Sequence, residues 1–311
     1  MKRSTRILTA VILSLSLLFT MEFAVPVMAE SEEPVVTVQE DQSGNNDQSQ
    51  NPDEDQFEIK SNKFTPEQEA AMIRKYGYYH GRNATSIPVL TYHNVVTNKQ
   101  KRKKPYKKSS LAISKSKFKK QMRYLKKKKY RTINCEEFYL WHEGKISLPP
   151  KTVLITFDDG LDGVVKNAFP ILRKYRLKGT FFVIGSNVRS GGGGYSSYGT
   201  LRWAHSVYPN FEIQSHTYNL HYYYSDTDSY KMVMKDAALQ DQLYGFQFHA
   251  YPYGRHTNNI VQAYKDSGMK MAFTYGTNRR ATRSQDLYKI ERIKVSAGIS
   301  FKRFKKLVKA K

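Results

Sequence analysis

The chain has 311 residues, 40% hydrophobic and 13% aromatic, room for one large domain or two small ones with a sizeable buried core. Its one cysteine, Cys135, excludes an intramolecular disulfide and a thiolate metal cluster, so any metal is left to His, Asp or Glu. The net charge is +24, and from residue 61 onward 47 basic residues stand against 16 acidic ones, a balance that attracts polyanions without choosing among nucleic acid, anionic lipid and an acidic wall polymer.

Met1-Lys2-Arg3-Ser4-Thr5-Arg6 is basic, residues 7–19 are apolar, and Val27-Met28-Ala29 offers the small residues that a signal peptidase reads. Residues 1–29 are therefore expected to be an export signal, since the apolar run is short of the roughly 20 residues of a spanning helix. Export makes the protein secreted or cell-surface associated, and argues against nucleic acid as its partner. Residues 30–64 carry ten acidic residues and almost nothing to bury, and read as a disordered acidic linker. The folded domain is expected over 65–311, as a monomer.

Thr65-Pro66-Glu67-Gln68 has the cap, the early proline and the closing Gln of a helix start, and predicts a helix to about Tyr76. A first strand over 87–92 ends at His93. Between 98 and 108, Lys99, Lys101, Arg102, Lys103, Lys104, Lys107 and Lys108 surround Pro105, which predicts an exposed basic loop. Phe118, Met122 and Leu125 mark an amphipathic helix, followed by a short strand over 130–133 and a helix over 135–141. The apolar run 153–157 reads as a buried strand that stops abruptly at Asp158-Asp159-Gly160. Neighbouring carboxylates repel, so both stay ionised only where a cation or hydrogen-bond donors offset the charge. Taken alone, the pair reads first as a helix cap beside a solvated neighbour.

A helix over 164–175 and a buried strand over 179–185 come next, and the glycines of 191–194 form a loop without phosphate-binding context. A strand over 211–215 runs into His216. A helix over 229–243, a strand over 246–251, the turn Pro252-Tyr253-Gly254, a helix over 257–267 and a strand over 271–275 follow. The last strand-like segment is 289–295, before a basic tail over 302–311. The alternation of strands and helices predicts an α/β fold with a parallel sheet or barrel, whose ligands collect at the C-terminal rim of the strands.

His216 and His221 are five apart, which on a helix would separate them by about 140°. Both can face one metal only from a loop or a broken turn. With one carboxylate of Asp158 and Asp159 they would form a two-His, one-carboxylate set with positions open to water, leaving the other carboxylate to take that water's proton. A hydrolase also needs an acid for the leaving group and a donor for the oxyanion, for which His93 and a backbone N–H of the 251–254 turn are the candidates. His80, His142, His205, His249 and His256 compete for these roles and read mostly as surface or packing residues.

Thr156-Phe157-Asp158-Asp159-Gly160, then Ser215-His216-Thr217 with a second His shortly after, then Tyr251-Pro252-Tyr253-Gly254, in this order, resemble the first three motifs of the polysaccharide deacetylases, the family-4 carbohydrate esterases. The resemblance spans about 87–295. It implies a distorted (β/α) barrel that removes N-acetyl groups from amino-sugar polymers with a divalent metal, usually zinc, with nickel, cobalt and iron as the alternatives. It also implies Asp158 as general base, Asp159, His216 and His221 as metal ligands, and the Tyr253 backbone as oxyanion donor. Trp203, Pro252 and Tyr253 are expected against the sugar, with Tyr222, Tyr223 and Tyr224 as further stacking candidates.

Most of the family spaces its two His residues by four, has Arg where Ala250 stands, and carries a late Leu-X-His whose His is the acid. The branch that deacetylates poly-β-1,6-N-acetylglucosamine is similar to this chain in its longer His spacing, its altered third motif and its N-terminal Tyr-His, which matches Tyr92-His93 and implies His93 as the acid. Arg292 is the candidate to orient Asp158. The expectation is a secreted metal-dependent N-deacetylase of an N-acetylglucosamine polymer, exopolysaccharide or peptidoglycan, with its basic surface against an anionic wall or membrane. The alternatives are a catalytically impaired, wall-associated carbohydrate-binding protein of the same fold and a cationic adhesin.

Overall fold

In the computed structural model the described residues are 64–77, 79–222 and 230–310, so the expected export signal, nearly all of the acidic linker, Tyr223 and Tyr224 lie outside the described residues. In chain order the elements are α1 (Pro66–Tyr76), β1 (Ser86–Ile87), β2 (Val89–Tyr92), β3 (Asn94–Val96), α2 (Asn98–Lys101), β4 (Ala112–Ser114), α3 (Lys115–Lys127), β5 (Arg131–Ile133), α4 (Cys135–His142) and β6 (Thr152–Phe157). A π-helical turn (Val164–Ala168) then leads into α5 (Phe169–Tyr175), β7 (Gly179–Val183), α6 (Gly185–Ser190), α7 (Tyr198–Val207), β8 (Phe211–Ser215), α8 (Tyr230–Tyr244), β9 (Phe248–Ala250), α9 (Asn258–Asp266), β10 (Met271–Phe273), β11 (Ala281–Thr282), β12 (Ile293–Lys294) and α10 (Phe301–Val308).

The main sheet runs β10-β9-β8-β7-β6-β2-β12 with β5 paired to the start of β6, and every pairing is parallel. Its two edges are joined by one segment. Ile290 exchanges backbone hydrogen bonds with β10, its N–H donating to Ala272 O at 3.1 Å and its carbonyl accepting from Thr274 N at 2.8 Å, while β12 three residues on pairs with β2. One strand thus serves two neighbours in succession, and the sheet curls into a distorted barrel.

Period-2 alternation divides each strand between two cores. Leu90, Val153, Ile155, Phe157, Phe181, Val183, Phe211 and Ile213 face the surrounding helices. Val89, Leu154, Phe182, Phe248, Met271, Phe273 and Ile290 face inward and meet Phe138 and Trp141 of α4. The inward set is apolar at the start of the strands. Toward their ends it becomes polar, with Thr156, Asp158, His216 and Arg292 all buried.

The elements begin where local chemistry stops the preceding chain: Thr65, Thr97, Ser114, Asn134, Ser197, Thr257 and Ser300 each cap a helix through a side-chain oxygen. Several strands are shorter than expected from the sequence, because pairing ends before the β-prone run does. The 164–175 helix opens as a π turn, with Phe169 N–H bonded to Val164 O, just before Pro170, which lacks an N–H of its own.

Two expectations from charge alone are corrected. The 98–108 segment contains α2, and Lys101 is not exposed like its neighbours, because its ammonium donates to Tyr106 O at 2.6 Å and Ser109 O at 2.8 Å. The basic C-terminal segment is mostly α10, whose Phe304 and Val308 are buried. Lysines every residue or two left the underlying apolar period hard to see. The short parallel pair β3 and β4 was also not anticipated.

Candidate active site

β6 delivers the two carboxylates to the rim. Asp158 still extends the ladder, its N–H donating to Tyr92 O at 3.0 Å. The chain then turns through positive φ at Asp159 (80°) and Gly160 (86°). A Cβ on Gly160 would stand 2.7 Å from Val188 Cγ1, so the turn accepts no side chain there. Asp159 itself occupies a backbone region that non-glycine residues rarely adopt, the kind of local strain that gathers at functional sites.

This turn separates the two side chains. Asp158 meets Arg292, whose guanidinium forks onto it at 2.7 Å and 2.8 Å. The same guanidinium donates to Thr274 O at 2.6 Å and Thr156 Oγ1 at 3.3 Å and lies over the Phe182 ring, so it has one available position. Burial alone would raise the Asp158 carboxyl, but Arg292, with His216 and His93, outweighs it and holds the group below the usual carboxylate range. Arg292 enters from the segment that closes the barrel.

Asp159 turns toward the histidines, with Oδ1 3.6 Å from His216 Nε2 and 3.4 Å from His221 Nε2. The two rings stand edge to face at 5.1 Å. His216 Nδ1–H donates to Ala250 O at 2.6 Å, which fixes the ring and turns Nε2 toward Asp159. Ala250 thus contributes its carbonyl to the site. Burial opposes ionisation of Asp159, and the two imidazoles override it, pushing the carboxyl well below its ordinary value.

The five-residue His spacing is set by a residue that the motif reading missed. Past His216 the chain leaves the strand at Thr217, with φ of 70°, and its next three N–H groups, of Tyr218, Asn219 and Leu220, all donate to the Asp236 carboxylate at 2.7, 2.7 and 3.1 Å. Asp236 is buried on α8, on the stripe shared by Val233, Ala237 and Gln240. An acid on the apolar face of a helix was the available signal. Through this bracket the loop places His221 opposite His216 without a helix.

The remaining expected residues divide. His93 stands one residue beyond β2, edge-on to Tyr275 at 5.4 Å, and burial pushes its imidazole below the ordinary value despite Asp158 and Asp159 nearby. Tyr253 forms the mouth beside His221, ring centroids 5.1 Å apart, with φ of 57°. Its turn follows the buried Pro252 and packs so closely that a Cβ on Gly254 would lie 2.3 Å from Tyr275 N. The Tyr275 hydroxyl is buried and finds no hydrogen-bond partner among the described residues. Trp203 is elsewhere, on α7 against Phe169 at 5.9 Å and 54% exposed, whereas the exposed Tyr253 ring stands beside His221 and Tyr222 follows His221 in the chain.

Most of the other histidines serve packing. His249 stacks on Tyr264 at 3.8 Å and His256 on Tyr251 at 4.9 Å. His205 bonds Phe211 O and His142 bonds Gln285 O.

The donor set of Asp159, His216 and His221 fits a divalent ion: one ligand atom from each residue lies within 4.8 Å of the others, and two neutral imidazoles with one carboxylate suit a borderline-soft cation and leave further positions open. Fold and site together define a (β/α)-barrel protein with a two-His, one-carboxylate cluster beside an Arg-clamped aspartate. The sequence matches the polysaccharide deacetylase family over residues 145–272. It is 26% identical over 255 residues, 78% of this chain and 84% of that protein, to YxkH of Bacillus subtilis (strain 168), itself named for the polysaccharide deacetylases. It is 28% identical over 204 residues, 60% of this chain and 68% of that protein, to a poly-β-1,6-N-acetyl-D-glucosamine N-deacetylase of Staphylococcus aureus. Among solved structures, IcaB from Ammonifex degensii superposes with a TM-score of 0.58 at 26% identity, covering 73% of this chain and 97% of that one. The Streptococcus pyogenes deacetylase PplD, solved with acetate, superposes with a TM-score of 0.63 at 22% identity, covering 73% and 99%, a likeness of fold. Over residues 145–272 the sequence, and in its fold the structure, are thus similar to the polysaccharide deacetylases.

Proposed function

We propose that this chain is a secreted, divalent-metal-dependent N-deacetylase of a β-linked N-acetylglucosamine polymer, with the β-1,6-linked polymer as its preferred substrate. The observation that carries the reading is the division of labour between adjacent carboxylates: Asp158 clamped by Arg292 and Asp159 facing two histidines. The name of the Staphylococcus aureus relative supports the substrate class. Export rests on the basic start, the apolar stretch and the small residues before Glu30.

Asp159, His216 and His221 would hold the ion, which would supply Lewis-acid polarisation of the acetamide carbonyl and a lowered pKa for the attacking water. Asp158 accepts a proton from that water as its oxygen bonds to the acetyl carbon, and Arg292 keeps the accepting oxygens in place. The Tyr253 backbone N–H faces the oxygen that gains negative charge. His93, in its protonated form, donates a proton to the sugar nitrogen as the C–N bond breaks, which releases acetate and a free amine. Tyr222 and Tyr253 offer ring faces to the neighbouring sugars.

The test is acetate release from β-1,6- and β-1,4-linked N-acetylglucosamine oligomers, with and without chelator. Chelation is expected to abolish release and zinc, nickel or cobalt to restore it, while Asp158→Asn lowers the rate by about 10²–10⁴-fold. Absence of acetate from every amino-sugar polymer with these metals supplied overturns the reading.

A further inference from the structure

A cavity of about 610 Å³ lies between α3, the segment leading into α10 and Lys101 at the end of α2. Among the described residues three of its wall residues are cations, Lys101, Lys117 and Lys120, and none is acidic. Each ammonium is placed by something other than a carboxylate. Lys101 Nζ is held by two loop carbonyls, Lys117 Nζ donates to Ala297 O at 2.5 Å, and Lys120 Nζ sits 4.7 Å above the Phe301 ring. Carbonyls and ring faces orient a cation without cancelling its charge, so the field of all three remains available to the cavity. Burial and the neighbouring Lys101 push Lys117 below its ordinary pKa, the mark of cations gathered without a counter-charge.

The wall also carries a committed neutral donor. Gln121 is 1% exposed, and its Oε1 accepts the Tyr92 hydroxyl at 2.9 Å, which leaves its Nε2 amide as a donor at the cavity. Ser116 and Ser300 add hydroxyls, and α10, capped by Ser300, has no acid in its first turn to offset the positive end of the helix. Three point charges, an amide and hydroxyls converging from separate elements suit a multiply charged tetrahedral oxyanion better than a single planar carboxylate.

We propose that this cavity is a binding site for a phosphate group, held by Lys101, Lys117, Lys120 and Gln121 and separate from the active site. It stands independently of the deacetylase reading, since its test measures binding. Calorimetric titration of the full chain with inorganic phosphate at low salt is expected to show saturable binding of one anion per chain. Lys117→Gln with Lys120→Gln is expected to weaken it at least tenfold, while Lys126→Gln with Lys127→Gln, which removes the same charge from the exposed end of α3, leaves it unchanged. Should the cavity pair fail to fold, Lys120→Gln alone carries the comparison, because among the described residues its ammonium makes only a ring contact. A second titration uses polyphosphate and polyglutamate. Tighter binding of polyphosphate than of phosphate assigns the phosphate to a polymer, equal binding assigns it to a free anion, and both uphold the site. Equal loss in the two lysine pairs, or equal affinity for polyglutamate through the same lysines, overturns it by reducing the cavity to part of a general basic field.

Discussion

Asp158 is kept in one orientation and one protonation state by a side chain 134 residues away in sequence, Arg292. Lysine at 292 would keep the charge and lose the fork, so Arg292→Lys is expected to fold and to lose roughly 10²-fold in acetate release through misplacement of the base. Removing the charge with Arg292→Met strands a buried carboxylate, at a cost of about 3–5 kcal/mol near neutral pH. The sign with pH follows from the direction of the shift. Asp158 is depressed in the folded protein, so its stabilisation is complete above the ordinary carboxylate pKa and is lost as pH falls through the lower folded value. In the methionine variant only His216 and His93 still oppose burial, and the group rises. Denaturant midpoints of wild type and variant are therefore expected to converge as pH falls below about 4, and the acid limb of kcat/KM to move upward in the variant.

At the scale of elements, the site depends on a loop suspended from a helix. Three backbone N–H groups of the loop carrying His221 end on Asp236 of α8. Burial raises that carboxyl while the three N–H donors pull it down, a balance that a helix surface would not require. Asp236→Asn removes the charge and one of the acceptors and lets His221 drift from His216. Ion affinity, measured by competition with a chelator of known strength, is expected to fall about 10–100-fold. Excess metal then recovers acetate release in Asp236→Asn and not in Asp158→Asn. Recovery in neither would remove Asp236 from the positioning role.

Across the whole molecule, one segment closes the barrel, supplies Arg292 and leads into α10. Phe304 of that helix is fully buried and meets Tyr124 of α3 edge to face at 6.4 Å. Phe304→Ala is expected to cost about 3–5 kcal/mol in urea unfolding, since the cavity is walled by helices already packed on β2 and cannot fully collapse. Because this packing lies at the end of the segment that carries Arg292, the same variant is expected to reduce acetate release before it unfolds. A variant that loses stability but keeps its full rate would separate the packing of α10 from the active site.

The strands of the main sheet, most helix starts and the order of the rim motifs were legible in the sequence, because each depends on neighbours within a few residues: an apolar run, a cap, a turn at Asp158-Asp159-Gly160. The pairing of His216 with His221 was legible only as a spacing that a helix could not satisfy. Tertiary structure decided what satisfied it, namely Asp236 reaching back from the next helix, and it decided that the Ala250 carbonyl would orient His216. Arg292 could be named as a candidate from the sequence, but its fork onto Asp158 exists only because the last strand pairs first with β10 and then with β2. The basic tail and loop were the least legible, since charge reports the solvent-facing side of a segment and says little about Phe304 or the Lys101 ammonium beneath it. Local chemistry determined which residues reach the rim, and long-range closure of the barrel determined which of them meet.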